Sequence, residues 1–286
     1  MSSETTTESP WIDCTADEYH ARSELSRSQF DDYVKHGPEF YSARHILKTI
    51  RRDVTPAMRR GTIIHANVLE NVPLCDLLHV WTGEVKAGTK NTTAWKDAKR
   101  LADDMGKELV TNNEFDEYFR VGDAIWKEPA ANRLLKSCER REVSFAWQDD
   151  VTGLWLRARA DAMSELGIIL DLKITDLPLS AESIAKQFTL RGGNYAMQAA
   201  WYRRGFKAVT GKDCEFWFVF AQACEPYTVA VARPNDDWLL QADVELTARL
   251  QEYESRANTQ NWKRAGYGQM AMIERPTYDK FSNDWE

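Results

Sequence analysis

Two carboxylates and a lysine, Asp161, Asp171 and Lys173, lie on neighbouring segments, Leu156 to Asp161 and Ile168 to Lys173. If both segments are extended, alternate side chains share a face, so Asp171 and Lys173 project together. Asp161, at the end of the preceding strand, meets them across a hairpin. Carboxylates so grouped bind a hard divalent cation, and a lysine beside them orients water or stabilises charge developing on a phosphate. The spacing decides little by itself, because Asp and Lys are common and a hairpin with a polar solvated face gives the same pattern.

Two further constellations flank this one. Downstream, Gln198 and Tyr202 stand one helical turn apart on one face, with Tyr195 close to that face. Upstream, the segment from Gly61 and Thr62 to His65 puts a lone histidine on a helix. Taken singly, a helical Gln and Tyr form a surface pair or core edge, and a lone His is structural. The order of the three groups along the chain is much rarer than any one of them.

The elements that must position these side chains fall into three zones. Residues 1–18 read as a disordered tail rich in Ser, Thr and Glu. A helix is expected from Ser28 to Gly37, a second through His45 to Ile50, and a third over Gly61 to Glu70, before Pro73. Residues 91–137 read as a helical annex, with Thr92 or Thr93 capping one helix and Thr111 or Asn112 the next. Glu142 to Trp147, Leu154 to Asp161 and Ile168 to Lys173 then form an antiparallel meander. A helix from Ala181, another from Asn194 to Arg204, strands Glu215 to Ala223 and Tyr227 to Arg233, and a last helix from Asp236 to Arg256 follow. Residues 19–257 thus form one domain with its annex, and 258–286 form an aromatic, acidic tail.

Composition bounds the function. The 286 residues are 43% hydrophobic, enough for one large core. No apolar run reaches membrane-spanning length, and the polar, acidic start lacks signal-peptide features, so a cytoplasmic protein without membrane association is expected. Five scattered cysteines without C-x-x-C spacing argue against a disulfide framework or zinc ribbon. A net charge of −7 counts against indiscriminate coating of nucleic acid. A focused basic groove is compatible with it. Arg51, Arg52, Arg59 and Arg60 cluster before the histidine, and Arg157 and Arg159 sit on the first acidic strand; solvated surface is the alternative for each.

Gly-Thr-x-x-His, then Asp161, then Asp171-x-Lys173, then Gln198-x-x-x-Tyr202 resembles the RecB-like branch of the PD-(D/E)xK nuclease superfamily. The opening from Tyr19 to Phe30 and the segment from Thr55 to His65 are similar to the RecE-type, or exonuclease eight type, exodeoxyribonucleases of phages and prophages. The resemblance spans about residues 19–235. Ala160 stands where the superfamily name has proline, and Asp171 where many members have glutamate; neither change removes a ligand.

The resemblance implies a mixed α/β, restriction-endonuclease-like core: a central mixed sheet flanked by helices, with an N-terminal helical annex. It implies Mg²⁺, with Mn²⁺ as substitute, held by His65, Asp161, Asp171 and the backbone carbonyl of Leu172, with Glu70 as a further candidate. Lys173 would be catalytic, and Gln198 and Tyr202 would steady the nucleotide or the lysine. Arg51, Arg52, Arg59, Arg60, Arg157, Arg159 and Tyr195 would contact DNA. It also implies 5′ to 3′ digestion of linear double-stranded DNA in recombination or repair, a homo-oligomeric ring, a single-strand annealing protein as partner, and a bacterial or phage-infected cell. A PD-(D/E)xK endonuclease, a flap or single-strand repair nuclease, and a nonenzymatic DNA-associated or inhibitory protein are the alternatives.

Overall fold

The computed structural model describes residues 9–51, 53–86, 88–266, 268 and 270. The chain opens with α1 (Ala16–Ala21), β1 (Leu25–Ser26), α2 (Arg27–His36) and α3 (Pro38–Tyr41), which continues as a π-turn over Ser42–Ile46. Next come α4 (Pro56–Leu69), α5 (Leu74–Leu77), β2 (Leu78–Val80), α6 (Thr93–Asp104), β3 (Glu108–Val110), α7 (Asn112–Lys127) and α8 (Pro129–Ser137). The central strands are β4 (Arg140–Gln148), β5 (Trp155–Met163) and β6 (Ile168–Thr175). Then follow α9 (Ala181–Phe188), α10 (Tyr195–Thr210), β7 (Glu215–Gln222), β8 (Val229–Ala232) and α11 (Asp236–Thr259).

The expected mixed sheet is present. β4, β5 and β6 form an antiparallel meander, β7 lies parallel to β6, and β8 returns antiparallel to β7. Alternation along β6 sorts its side chains to two layers. Leu170 and Leu172 pack with Val219 and Ala221 against Ile64, Val68, Val121 and Ile125 of α4 and α7. Ile169 enters the opposite core, where Phe216, Phe218 and Phe220 meet Phe30, Trp201, Leu246 and Leu250 of α2, α10 and α11. Burying aromatic side chains of this size stabilises the sheet by roughly 1.5–3 kcal/mol each.

Several boundaries differ from the expectation, each for a local reason. The helix expected from Ser28 begins after Ser26, whose hydroxyl accepts from the Gln29 N–H while Gln29 caps in return. The second stretch ends with the π-turn at Ile46, because Lys48 takes φ 55°. The helix expected to stop before Gly205 runs on to Thr210. Gly205 is there because a Cβ would lie 2.5 Å from the Trp147 ring. The annex is not purely helical: β3 pairs in parallel with β2, three-residue strands too short to carry a periodic signal.

The tails are shorter than expected. Ile12 bridges to Ser144, Trp11 packs 5.8 Å from the Phe145 ring, and Thr15 caps α1, so residues 11–18 belong to the domain. At the other end, Trp262 packs against Tyr33, Tyr41 and Tyr253. The first eight residues and 271–286 lie outside the described residues. Among the described residues, no helix is long and apolar enough to cross a membrane.

Candidate metal centre and cleft

One edge of β5 is interrupted. β1 pairs with it at Leu156 and Arg157, and β6 at Ala162 and Met163, leaving the stretch between unpaired on that side. Because β5 and β6 splay beyond Ala162, Leu172 lacks a ladder partner there. Asp161 Oδ2 accepts its N–H at 2.8 Å, and His65 Nε2 meets its carbonyl at 2.8 Å. Ile64 and Val68, fully buried on α4, fix the helix rotation that presents His65 to this gap.

A carbonyl only accepts, so the proton of His65 must sit on Nε2 and Nδ1 faces the site. Nδ1 lies 3.6 Å from Asp161 Oδ2. Two electron-rich atoms at that separation call for a proton or a cation between them. Opposite Asp161 on β4 stands Glu142, bracketed by the pairs Arg141 with Ala162 and Val143 with Ala160. Donor atoms of His65, Glu142 and Asp161 all lie within 4.8 Å of one another. Two carboxylates and an imidazole suit a divalent ion.

Asp171 and Lys173 project from the same face of β6 as Ile169. Asp171 Oδ1 accepts from Gln198 Nε2 at 2.6 Å. Its buried Oδ2 is 2.6 Å from Lys173 Nζ, an ion pair at hydrogen-bonding distance. Burial and the neighbouring Asp171 charge push the Asp161 carboxyl up to about 7, against the pull of His65 and Lys173. Burial works against the Lys173 ammonium, yet Asp171 above all raises its pKa and keeps it charged. The ammonium also sits 4.9 Å from the Tyr195 ring centroid, a cation–π contact. These groups line a cleft of about 760 Å³ together with Arg27, Lys35, Arg159 and Glu142.

Asp161, Asp171, Lys173, His65, Gln198, Tyr195 and Arg159 are therefore brought together as the sequence predicts. Others are not. Gln198 holds Asp171, not the lysine, and Tyr202 is buried with its hydroxyl donating to the Arg159 carbonyl at 2.8 Å, so it braces β5. The Leu172 carbonyl is engaged by His65, which makes it an orienting acceptor. Glu70 lines the cleft from an exposed position outside the three-residue donor group.

The predicted DNA contacts thin out further. Arg157 is 2% exposed, bonds the Arg22 carbonyl and lies over the Tyr19 ring, so it is a core brace. Arg59 pairs with Glu108, and Arg60 with Glu117 and Asp176. Arg51 is exposed, and Arg52 lies outside the described residues. The sequence reading missed Glu142; counting back through the turn at Asp149 to Gly153 would have set it opposite Asp161.

A mixed sheet with helices on both faces and an acid, acid, lysine set where two strands part defines the PD-(D/E)xK nuclease superfamily. Residues 26–273 match the family described as PDDEXK-like domain of unknown function (DUF3799), and the chain belongs to that family. The crystal structure of "Putative exonuclease" from Eubacterium rectale is similar in fold, with TM-score 0.61 and 14% identity over 95% of this chain and 99% of that one. The structure of SSO0001 aligns with 67% of this chain and 86% of its own at 16% identity, but its TM-score of 0.27 carries no weight. No curated protein matches.

Proposed function

We propose that the protein is a metal-dependent exodeoxyribonuclease that digests linear double-stranded DNA in the 5′ to 3′ direction. The observation that supports hydrolysis is the convergence of His65, Asp161, Asp171 and Lys173 in one cleft. His65, Asp161 and Asp171 would hold Mg²⁺ or Mn²⁺, which supplies Lewis acidity toward a phosphate and a water of lowered pKa. Lys173, kept charged, orients the attacking water or neutralises charge on the phosphate oxygens. Gln198 fixes the Asp171 carboxylate, and the backbone of Leu172 fixes both Asp161 and His65. The duplex-end preference and polarity rest on the resemblance to RecE-type enzymes, and the similarly folded Eubacterium rectale protein carries the name exonuclease. The same resemblance supports a homo-oligomeric ring and a single-strand annealing partner in the cytoplasm of a bacterial or phage-infected cell.

The test is cleavage of end-labelled linear duplex, covalently closed circles and single strands, with Mg²⁺ or EDTA, by the wild type and Asp171→Ala. Loss from 5′ ends of linear duplex alone, abolished by EDTA and by the substitution, is the expected result. Cutting of closed circles would replace the exonuclease reading with an endonuclease, and no metal-dependent cleavage of any substrate would leave a binding role.

A further inference from the structure

We propose that Glu142 is a further ligand of the metal centre and that it exchanges Arg159 for the metal, so that metal binding frees Arg159 for a substrate phosphate. The inference deepens the hydrolytic reading above and rests on it. Glu142 Oε2 accepts from Arg159 Nε at 2.7 Å, yet a carboxylate oxygen of Glu142 also lies within 4.8 Å of the His65 and Asp161 donor atoms. The carboxylate thus faces two positions, the Arg159 guanidinium on one side and the His65 and Asp161 donor atoms on the other.

Two observations bear on the second position. His65, its Nε2 held at 2.8 Å from the Leu172 carbonyl, turns Nδ1 to within 3.6 Å of Asp161 Oδ2 there. Glu142 itself takes φ 51°, a left-handed conformation that a non-glycine residue rarely adopts, although the pairs on either side of it stay in register with β5. Strain of this kind persists where the direction of a side chain matters.

Charge competition sets the direction of the exchange. A divalent ion and a guanidinium draw on the same carboxylate lone pairs, and the ion carries twice the charge. Arg159 is not lost when Glu142 turns away. It keeps the Cys14 carbonyl at 3.3 Å, the Ser144 hydroxyl at 3.5 Å and the Tyr19 ring at 5.9 Å. Those contacts hold its fork at the cleft wall, where a phosphodiester offers two oxygens to two N–H groups.

Calorimetric titration of the full chain with Mn²⁺, without DNA, tests this. Glu142→Gln weakens Mn²⁺ binding by roughly tenfold or more, and Arg159→Gln tightens it by roughly twofold or more. In the double variant the Arg159 effect disappears. Arg159→Gln also weakens binding of a short duplex in Ca²⁺ while leaving binding in EDTA unchanged, which a merely structural arginine would not do. Unchanged Mn²⁺ affinity in a folded Glu142→Gln, or looser binding in Arg159→Gln, overturns the exchange. Failure of the wild type to bind Mn²⁺ at all overturns the metal-dependent reading beneath it.

Discussion

Asp161→Asn tests whether the metal-free cleft stores repulsion between its carboxylates. Burial and Asp171 push the Asp161 carboxyl up to about 7 in the folded chain, against about 3.9 when exposed and unfolded. The folded state therefore binds this proton more tightly than the unfolded state. Stability from this group is full below about pH 4, falls as the pH rises, and is lost above about pH 7. At about 1.4 kcal/mol per unit the total is on the order of 4 kcal/mol, more than half of which disappears between about pH 5 and about pH 8.

Asparagine keeps the shape and can still accept the Leu172 N–H, but it cannot ionise. In EDTA, Asp161→Asn should therefore gain on the wild type by ~2–3 kcal/mol as the pH rises over that interval, a change on the order of 4–5 °C in the difference between their melting temperatures. Divalent metal should then stabilise the wild type at the upper pH and leave the variant unmoved. Differential scanning calorimetry of both proteins across the range gives the readout. A Tm difference that stays flat from pH 5 to pH 8 would refute the stored repulsion.

Three further outcomes follow from the same geometry. Lys173→Ala should lose turnover by ~10²–10³-fold while keeping duplex affinity in Ca²⁺; loss of the folded circular-dichroism spectrum would instead make the lysine structural. Gln198→Leu removes the donor to Asp171 Oδ1 and should weaken Mn²⁺ binding by ~10–100-fold in calorimetry. Gly205→Ala drives a Cβ to 2.5 Å from the Trp147 ring and should cost ~1–3 kcal/mol in urea unfolding without altering metal affinity in the protein that remains folded.

The parts of the site that were legible in the sequence are those set by local periodicity. Asp171 and Lys173 are two residues apart on a strand, and Gln198 sits on the helix that packs over that strand, so alternation and order sufficed. Glu142 depends on a register counted across a turn, which no local pattern displays. Arg157 and Arg159 look equivalent, and both lie over the Tyr19 ring, yet β1 pairs at Arg157 and contributes to its burial. A two-residue strand has no periodic signature to reveal that. Arg60 likewise read as free charge because Asp176, its partner, lies 116 residues away.

The interrupted edge of β5 ties chemistry to the completion of folding. Its gap is bounded by Ser26 on one side and Leu170 on the other, and His65 reaches it from a helix between them in sequence. Distant segments must dock before the donor group exists, and such non-local contacts close late. A chain still emerging from the ribosome holds these residues far apart. Metal binding thus becomes a property of the assembled sheet and of none of its separate segments.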